Sequence, residues 1–350
     1  MDVKRFLKEN NLFSCVFSTT GSHVNEYFYY FTGLSKTAQV TATLILTEKD
    51  TIILTNRLEH GILRGKGKLI IIESRKDVEK ALRKYCGKTI GVDFSNISVS
   101  GLARLRKLTG AKIIDMSKDL GNLRAVKSQP EIKKIKDACK ITEEVLDNVG
   151  NLLKKTVTES GLALELEYAA RKNGAETVAY QPIIAHEKNS ALAHHIPGKT
   201  KLTKGLLLID FGVVYEGYCS DITRAFFIGK ADEKINSVYE TVYKAQQAAI
   251  ELAKNGSKAS DVHNAANSIL QTELKQKLIH SIGHGLGVEV HDYPEGINDK
   301  SKLILKRNMV ITIEPGYYNT KFGGIRIEDD VVIGSRAKML SNAPKSIIQL

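Results

Sequence analysis

Two pairs of carboxylates stand within apolar, strand-like segments in the C-terminal half of this 350-residue chain. Asp210 ends one apolar run, and Asp221 precedes the next one, on the far side of a turn near Tyr215 to Gly217. If the hairpin is centred between Tyr215 and Glu216, the two acids are directly opposed, with Cβ atoms about 5 Å apart. Because like charges repel strongly in apolar surroundings, such a pair needs a proton or a bound cation.

The second pair follows the same pattern. Glu314 ends the apolar run 309–313, and Glu328 follows residues 323–327 after a Gly-containing turn. His284 joins them as a candidate, because the glycines around it let the backbone bring an imidazole close to a charged group. A single acid on a strand is more often a surface charge, but four in this pattern favour a shared site.

These five residues form an oxygen-rich ligand set with one nitrogen. Such a set suits hard or borderline divalent ions rather than a thiolate zinc site. Five side chains exceed what one ion needs when a water position stays open. We therefore expect two divalent metal ions about 3.5 to 4 Å apart, and Mn, Co, Fe and Zn all suit this ligand set.

The same residues carry a resemblance to a known family. The strings Ile-Asp210-Phe-Gly, Ser-Asp221-Ile-Thr-Arg, Gly-His284-Gly-Leu-Gly, Ile-Glu314-Pro-Gly and Arg-Ile-Glu328-Asp resemble those of the pita-bread dinuclear metallopeptidases, most of all Xaa-Pro dipeptidases (prolidases) and Xaa-Pro aminopeptidases. The likeness spans residues 127 to 333, and Tyr30-Phe-Thr-Gly33 resembles the creatinase-like N-terminal domain of such enzymes. It implies an α/β, creatinase-like domain over residues 1–122, followed by an α+β pita-bread catalytic domain over residues 127–350.

The resemblance also implies a role for each ligand. Asp210 would chelate the first ion, Asp221 and Glu328 would bridge both, and His284 with Glu314 would complete the second. Glu314 would in addition act as a catalytic group that moves the proton of the bridging water.

Three further residues are expected to contact the substrate. His194 and His291 match the two substrate-side histidines of the family, which would act in catalysis by binding the peptide and stabilising the oxyanion. Arg326 lies two residues before Glu328, hence on the same strand face, and could orient a carboxylate through bidentate hydrogen bonds. His280, four residues before His284, is expected not to be a ligand.

The function implied is hydrolysis of Xaa-Pro bonds in short peptides by a hydroxide held between two metal ions, as in an Xaa-Pro dipeptidase. One departure keeps an alternative open. Glu295 follows His291-Asp-Tyr-Pro294 where many dipeptidases have a basic residue, and it would repel the free carboxylate of a dipeptide. An Xaa-Pro aminopeptidase acting on longer peptides is therefore the second hypothesis, and a non-enzymatic binding protein on the same fold is the third.

Composition excludes other classes. The formal net charge is +12, but Lys and Arg are dispersed without an aromatic-interleaved stripe, so we expect no nucleic-acid partner. No apolar run approaches the roughly 20 residues of a membrane span, and the first residues lack a signal-peptide pattern, so we expect a cytoplasmic protein that does not engage a membrane. The four cysteines are scattered and predict no disulfide framework. A homodimer is implied by the resemblance alone.

Alternating helix and strand patterns over the first 115 residues predict an α/β layer domain. Among them are strands at 39–47, 89–92 and 112–115 and a helix at 98–108. A boundary is expected between Gly121 and Lys127, before a helix that Ser128 caps and that has Pro130 in its first turn. Later helices are expected at 162–172, 233–255 and 259–275.

Overall fold

The computed structural model describes residues 3–344 and 346–350, and the chain divides into two compact units, Met1–Leu123 and Arg124–Leu350. Both units mix helices with strands. The helices are α1 Val3–Glu9, α2 Glu26–Thr32, α3 Arg75–Tyr85, α4 Val99–Thr109, α5 Ser117–Ala125, α6 Gln129–Asp147, α7 Val149–Leu152, α8 Glu159–Lys172, α9 Glu233–Leu252 and α10 Ala259–Leu274. The strands of the first unit are β1 Ser14–Thr19, β2 Ala42–Thr47, β3 Thr51–Thr55, β4 Lys68–Ile71, β5 Thr89–Val92 and β6 Lys112–Asp115. Those of the second unit are β7 Thr177–Val178, β8 Ile183–His186, β9 Gly205–Phe211, β10 Val213–Tyr215, β11 Tyr218–Cys219, β12 Ile222–Ile228, β13 Gly283–Gly285, β14 Asp292–Ile297, β15 Val310–Ile313, β16 Gly316–Asn319, β17 Gly323–Arg326, β18 Asp329–Val332, β19 Lys338–Met339 and β20 Ile348–Gln349.

The first unit is a six-stranded sheet in the order β4-β3-β2-β1-β5-β6, in which only β2 runs against its neighbours. Side chains alternate between its faces, as the period of two in a strand requires. Cys15 and Phe17 enter a core that α1 and α2 cover, whereas Val16 enters a core that α3 and α4 cover. The predicted α/β layer domain is confirmed.

Most predicted elements of this unit are present, with two exceptions. The strands 89–92 and 112–115 are β5 and β6, and Ser98 caps α4 by accepting from the Gly101 N–H. The strand predicted from Gln39 begins only at Ala42. Helix α2, Glu-Tyr-Phe-Tyr-Tyr-Phe-Thr, was not predicted because its aromatic residues have low helix propensity. The Asn25 side chain, which accepts from the Phe28 N–H, caps it.

The second unit combines two larger sheets with two layers of helices. The sheet β20-β12-β9-β8 packs with α6 and α8 through one core, and the sheet β14-β13-β15-β18-β19 packs with α9 and α10 through another. Helix α6 begins as predicted, with the Glu131 carboxylate accepting from both the N–H and the hydroxyl of Ser128. The N–H of Glu328 donates to the carbonyl of Thr223 and so joins the two sheets beside the candidate residues.

Across residues 3–344 and 346–350, every helix is too short or too polar to cross a membrane.

Candidate metal centre

The second carboxylate pair lies where two strand ladders meet. The ladder that pairs Ile313 with Asp329 continues in the one that pairs Gly316 with Arg326. Because the two ladders have the same register, Glu314 lies directly opposite Glu328 in the short gap between the ladders. The predicted cross-strand arrangement is therefore present in this hairpin.

The first pair has a different register from the one predicted. Strands β9 and β12 pair Asp210 with Thr223, so Asp210 and Asp221 are diagonal rather than opposed. The turn consists of Glu216 and Gly217, both with positive φ (45° and 77°), as in a two-residue type I′ hairpin. The predicted centre was therefore wrong, and the ladder is displaced by two residues. A displacement by two leaves both acids on the same face.

Close backbone approach explains the glycines of the site. A Cβ on Gly212 would lie 2.0 Å from the Ser220 carbonyl oxygen, and a Cβ on Gly283 would lie 2.0 Å from that of Thr312. Both positions thus exclude any larger residue. Gly283 lets β13 lie against β15, where the Thr312 hydroxyl accepts from the His284 N–H at 3.1 Å.

Five side chains from these strands meet in one buried cluster. One donor atom each of Asp221, His284 and Glu328 lies within 4.8 Å of the other two. His284 Nε2 is 3.6 Å from Asp221 Oδ2 and 3.5 Å from Glu314 Oε1. Asp210 is connected to the cluster through Tyr180, whose hydroxyl lies 2.5 Å from Asp210 Oδ1 and 2.5 Å from Asp221 Oδ1.

The Tyr180 contacts reveal how crowded with negative charge this cluster is. A phenol has one proton to donate, so only one of the two carboxylates can accept from it. Burial, and then neighbouring carboxylates, raise the pKa of Asp221 and of Glu328 well above the usual range. Burial also raises the pKa of Glu314 to about 7, with the Asp210 charge adding to it against the opposing effect of Arg326. Without cations the cluster must therefore hold protons.

The donor set fits divalent cations. Asp221, His284 and Glu328 bring their ligand atoms within 4.8 Å of one another, and Glu314 and Asp210 lie beside them. Burial lowers the pKa of His284 to about 4, so its imidazole is neutral at pH 7, the form that binds metals. The excess of carboxylates and the neutral imidazole thus both favour a site for divalent cations.

Arg326 is the buried cation beside this cluster, with its guanidinium directed at protein groups. Its Nη2 donates to Asp210 Oδ2 at 2.7 Å, its Nε to Thr223 Oγ1 at 3.0 Å and its Nη1 to the Tyr318 hydroxyl at 2.8 Å. The carboxylate that it orients here is thus Asp210. Thr223 in turn donates to Glu328 Oε2 at 2.6 Å, which links the two hairpins through side chains.

A second layer of buried charge fixes the ligand backbones. Asp330 Oδ2 accepts from the Asp221 N–H at 3.0 Å, and Arg224 donates to the Glu328 carbonyl at 2.6 Å. Arg224 also pairs with Asp329 at 2.6 Å, with both side chains fully buried. Mispositioning either strand would leave buried charges unpaired, which is costly.

The two substrate-side histidine candidates lie on exposed loop positions next to the cluster. The ring centroid of His291 is 4.0 Å from that of His284. His194 is close enough to contribute, after burial, to the lowered pKa of His291. The backbone carbonyl of the preceding Ala193 accepts from Arg326 at 3.4 Å, which ties this loop to the cluster. His280 lies outside the ligand group, 3.0 Å from the Tyr318 hydroxyl and 3.9 Å from Glu314 Oε2.

A single buried carboxylate, Glu159, holds the loop of His194. One of its oxygens accepts from the His186 N–H and the Asn189 side chain at 2.8 Å each. The other bonds His195 Nε2 at 2.9 Å and accepts from the Gly198 N–H at 3.2 Å. Glu159 thus contacts the chain on both sides of His194.

A buried ion pair holds the loop of His291 in place. Arg124 is 2.8 Å from Asp292 Oδ1, and Asp292 Oδ2 accepts from the Val288 N–H at 3.2 Å. The neighbouring Lys127 donates to the Tyr293 carbonyl at 2.9 Å.

Sequence reasoning did not single out Tyr180, Glu159 or Thr223. Thr223 stands in the quoted string Ser-Asp-Ile-Thr-Arg and could have been found there. Tyr180 and Glu159 lie about 30 residues from their partners and outside the quoted strings, so no local pattern marks them.

Comparison with known proteins agrees with this geometry. Residues 133–335 match metallopeptidase family M24, and residues 5–126 match the creatinase/prolidase N-terminal domain. The chain belongs to metallopeptidase family M24. It is therefore a hydrolase, and membership of this family implies that it binds divalent metal ions.

Individual relatives extend over nearly the whole chain. The chain is 33% identical over 329 residues to the Xaa-Pro dipeptidase of Pyrococcus furiosus, which covers 91% of this chain and 92% of the relative. Its structure is similar to that of the X-Pro aminopeptidase from Thermotoga maritima, with a TM-score of 0.91, 28% identity and coverage of 99% and 100%. It is also similar to the prolidase from Pyrococcus horikoshii, with a TM-score of 0.87, 30% identity and coverage of 98% and 97%. The predicted fold, a creatinase-like domain followed by a pita-bread catalytic domain, is confirmed.

Proposed function

We propose that this M24 enzyme is an Xaa-Pro dipeptidase that binds two divalent ions, Mn or Co in preference to Fe or Zn. The observation that carries the proposal is the cluster of four carboxylates and one imidazole, which must hold protons when no cations are bound. Asp210, Asp221, His284, Glu314 and Glu328 are the proposed ligands. When bound, such ions polarise a peptide carbonyl and lower the pKa of a water molecule.

The remaining chemistry is assigned to the chain's own groups. Glu314, whose Oε1 is 3.5 Å from His284 Nε2, is assigned the transfer of a proton to the leaving nitrogen. His291 and His194 stand at the exposed side of the cluster, where they can donate to the oxygen that becomes negative during hydrolysis. Arg326 holds Asp210 in place through its 2.7 Å bond and offers its remaining donor capacity to a substrate carboxylate.

Proline in the leaving position suits a site of this kind. An Xaa-Pro bond is a tertiary amide with no N–H, so it cannot be recognised by strand-like backbone pairing. Carbonyl polarisation does not need that N–H. We propose short peptides as substrates and neither nucleic acid nor membrane as a partner.

Glu295 favours one competing function, an Xaa-Pro aminopeptidase for longer peptides. This residue is exposed on β14, four positions after His291. A carboxylate there repels the C-terminal carboxylate of a dipeptide more than the interior of a longer chain. The X-Pro aminopeptidase named above is a relative of the same length, so this candidate stands beside the first.

One experiment decides between them. Metal-stripped protein reloaded with Mn or Co is assayed on Ala-Pro, Ala-Pro-Gly and Ala-Ala, with Asp221→Asn as the inactive control. The dipeptidase proposal requires metal-dependent cleavage of Ala-Pro in preference to both other peptides. A preference for Ala-Pro-Gly would establish the aminopeptidase, and cleavage of neither proline peptide would refute both.

A charge-reversal variant sharpens the result. Glu295→Lys should raise kcat/KM for Ala-Pro relative to Ala-Pro-Gly, because it exchanges repulsion for attraction at the free carboxylate. Lys302→Glu, at an exposed position outside the site, is the matched control.

The remaining parts of the proposal concern organisation. We propose that segments 1–122 and 127–350 are the two functional domains, and that the enzyme is a homodimer in the cytoplasm. Light scattering at several protein concentrations tests the dimer directly.

A further inference from the structure

The first unit contains a groove of about 830 Å³ at one edge of its sheet. It lies at the carboxyl ends of β1, β3 and β5, where the loops 19–25 and 93–98 leave the sheet. Ligand pockets have volumes of about 300–1,000 Å³. Its size is therefore that of a site for a small organic molecule.

The position of the groove in the sheet is the one that favours ligand binding. From β1 the chain proceeds through β2, β3 and β4 on one side, and then crosses to β5 and β6 on the other. The crevice beside β1 and β5 is thus the point where the strand order reverses. In open α/β sheets, ligands bind at this point, outside the carboxyl ends of the strands.

The wall of the groove has an apolar floor and a polar rim. The floor is the open end of the core between the sheet and helices α3 and α4, with Leu54, Leu82 and Leu105 among its residues. Hydroxyl groups of Ser18, Thr41 and Thr43 belong to the rim. Such a surface suits a ligand with an apolar body and a polar end.

Two buried polar atoms of the groove residues lack partners within the part of the chain that the structure describes. Thr55 is only 3% exposed, and its Oγ1 makes no hydrogen bond. Asn96 Oδ1 is likewise buried without a partner, although its amide nitrogen donates to Glu26. Because buried polar groups are nearly always hydrogen-bonded, these two atoms of groove residues have capacity for a partner from outside the chain, either water or a bound molecule.

One part of the groove wall attracts anions. Helix α4 starts in the groove wall, with Ser98 as its cap and Arg104 on its second turn. Arg104 is exposed and forms no ion pair with any described residue. The wall also contains one acid, Asp93, whose Oδ1 accepts from the N–H and hydroxyl of Ser95 and which would repel an anion placed beside it. A helix N-terminus and a free guanidinium both attract anions.

We propose that this groove is a second ligand site, for a small organic acid with an apolar body. The carboxylate or phosphate of the ligand lies near Arg104 and the start of α4. Its body covers the leucine floor, and a polar atom reaches Thr55. The proposal concerns the first unit only and does not depend on which peptide the metal centre hydrolyses.

Isothermal titration with three probes tests the site on the full chain. The probes are 4-phenylbutyrate, phenyl phosphate and, as the neutral analogue, 4-phenylbutanol. We expect saturable binding of one molecule per chain for at least one of the two anions, and binding weaker by about tenfold for the alcohol. The preferred anion distinguishes a carboxylate ligand from a phosphate ligand.

Variants locate the binding. Arg104→Gln should weaken the preferred anion about tenfold and leave the alcohol unchanged. Arg106→Gln, an exposed arginine on the same helix outside the groove wall, should change neither.

Two results would overturn the proposal. One is the absence of saturable binding of either anion at millimolar concentration. The other is equal affinity of the wild type, Arg104→Gln and Arg106→Gln, which would place the anion elsewhere, the metal centre included.

Discussion

The proposed ligands and the proposed substrate histidines are held in different ways. Asp210 and Glu328 are on or directly beside strands and are almost fully buried, whereas His194 and His291 are exposed on loops. Strand ladders and buried charges fix the ligand backbones. His194 lies outside any ladder, on a loop held by Glu159, whereas His291 directly precedes β14, where Asp292 pairs with Gly285 and forms an ion pair with Arg124.

This difference separates two properties of the enzyme. Metal binding should depend on the strand-borne carboxylates and should survive changes in the loops. Substrate handling should depend on the loops as well. Variants that affect one property without the other therefore test the comparison.

The largest effect is expected from a strand-borne ligand. Asp221→Asn removes one negative charge and one ligand oxygen from the buried cluster, so kcat should fall about 10³-fold and metal affinity should fall with it. Asp137→Asn, on the exposed face of α6, is the matched control. Full activity with full metal content in Asp221→Asn would remove this residue from the ligand set.

A smaller effect is expected from a loop-borne histidine. His291→Ala should lower kcat about 10²-fold, because one donor to the developing negative charge is lost. Metal content, measured by equilibrium dialysis, should stay at the wild-type value. His60→Ala, an exposed histidine of the first unit, serves as the control. Loss of metal together with activity would contradict the separation of the two regions.

Below neutrality, the affinity for metal should rise about tenfold for each unit of increase in pH. Burial raises the pKa of Glu314 to about 7, so below that pH its carboxyl is protonated and must release the proton before it can bind an ion. Affinity for Mn should therefore rise at least about tenfold from pH 6 to pH 7, and protons released from Asp221 and Glu328, whose pKa values burial also raises, add to this rise. Titration calorimetry in two buffers of different ionisation enthalpy measures the released protons, and an affinity that is constant between pH 6 and pH 8 would refute the assignment.

The smallest effect is expected from Glu159, which acts only through the loop. Glu159→Gln keeps one acceptor oxygen, but its amide nitrogen would meet an N–H that itself donates, such as that of Gly198. The loop should shift, and kcat/KM should fall about fivefold while metal content is unchanged. Glu167→Gln, on the same helix, removes only an exposed ion pair and controls for the charge change. Equal kinetics of both variants would show that Glu159 has no positioning role.

The sequence predicted the fold where the elements are regular. The apolar runs of β5 and β6 and the Ser128 cap of α6 have local signals, and all three are present. Hairpin register was predicted less well. In the first hairpin the turn consists of Glu216 and Gly217, both with positive φ. The prediction centred this turn one residue too early, so the predicted strand pairing was displaced by two residues.

The site was predictable in its residue types but not in its supporting contacts. The candidates with distinctive strings, such as Asp221, His284 and Glu328, lie together. The Tyr180 hydroxyl between two carboxylates and the four bonds of Glu159 depend on how distant loops fold over the strands. Such contacts leave no periodicity in the sequence.

The central claim is that this buried cluster holds two divalent ions and that hydrolysis requires them. Equilibrium dialysis of the metal-stripped enzyme against Mn, with Ala-Pro hydrolysis measured on the same samples, tests it most directly. The account predicts two ions bound per chain, with activity that rises as they bind and is absent without them. Activity in the stripped enzyme, or saturation of activity with no bound Mn, would contradict it.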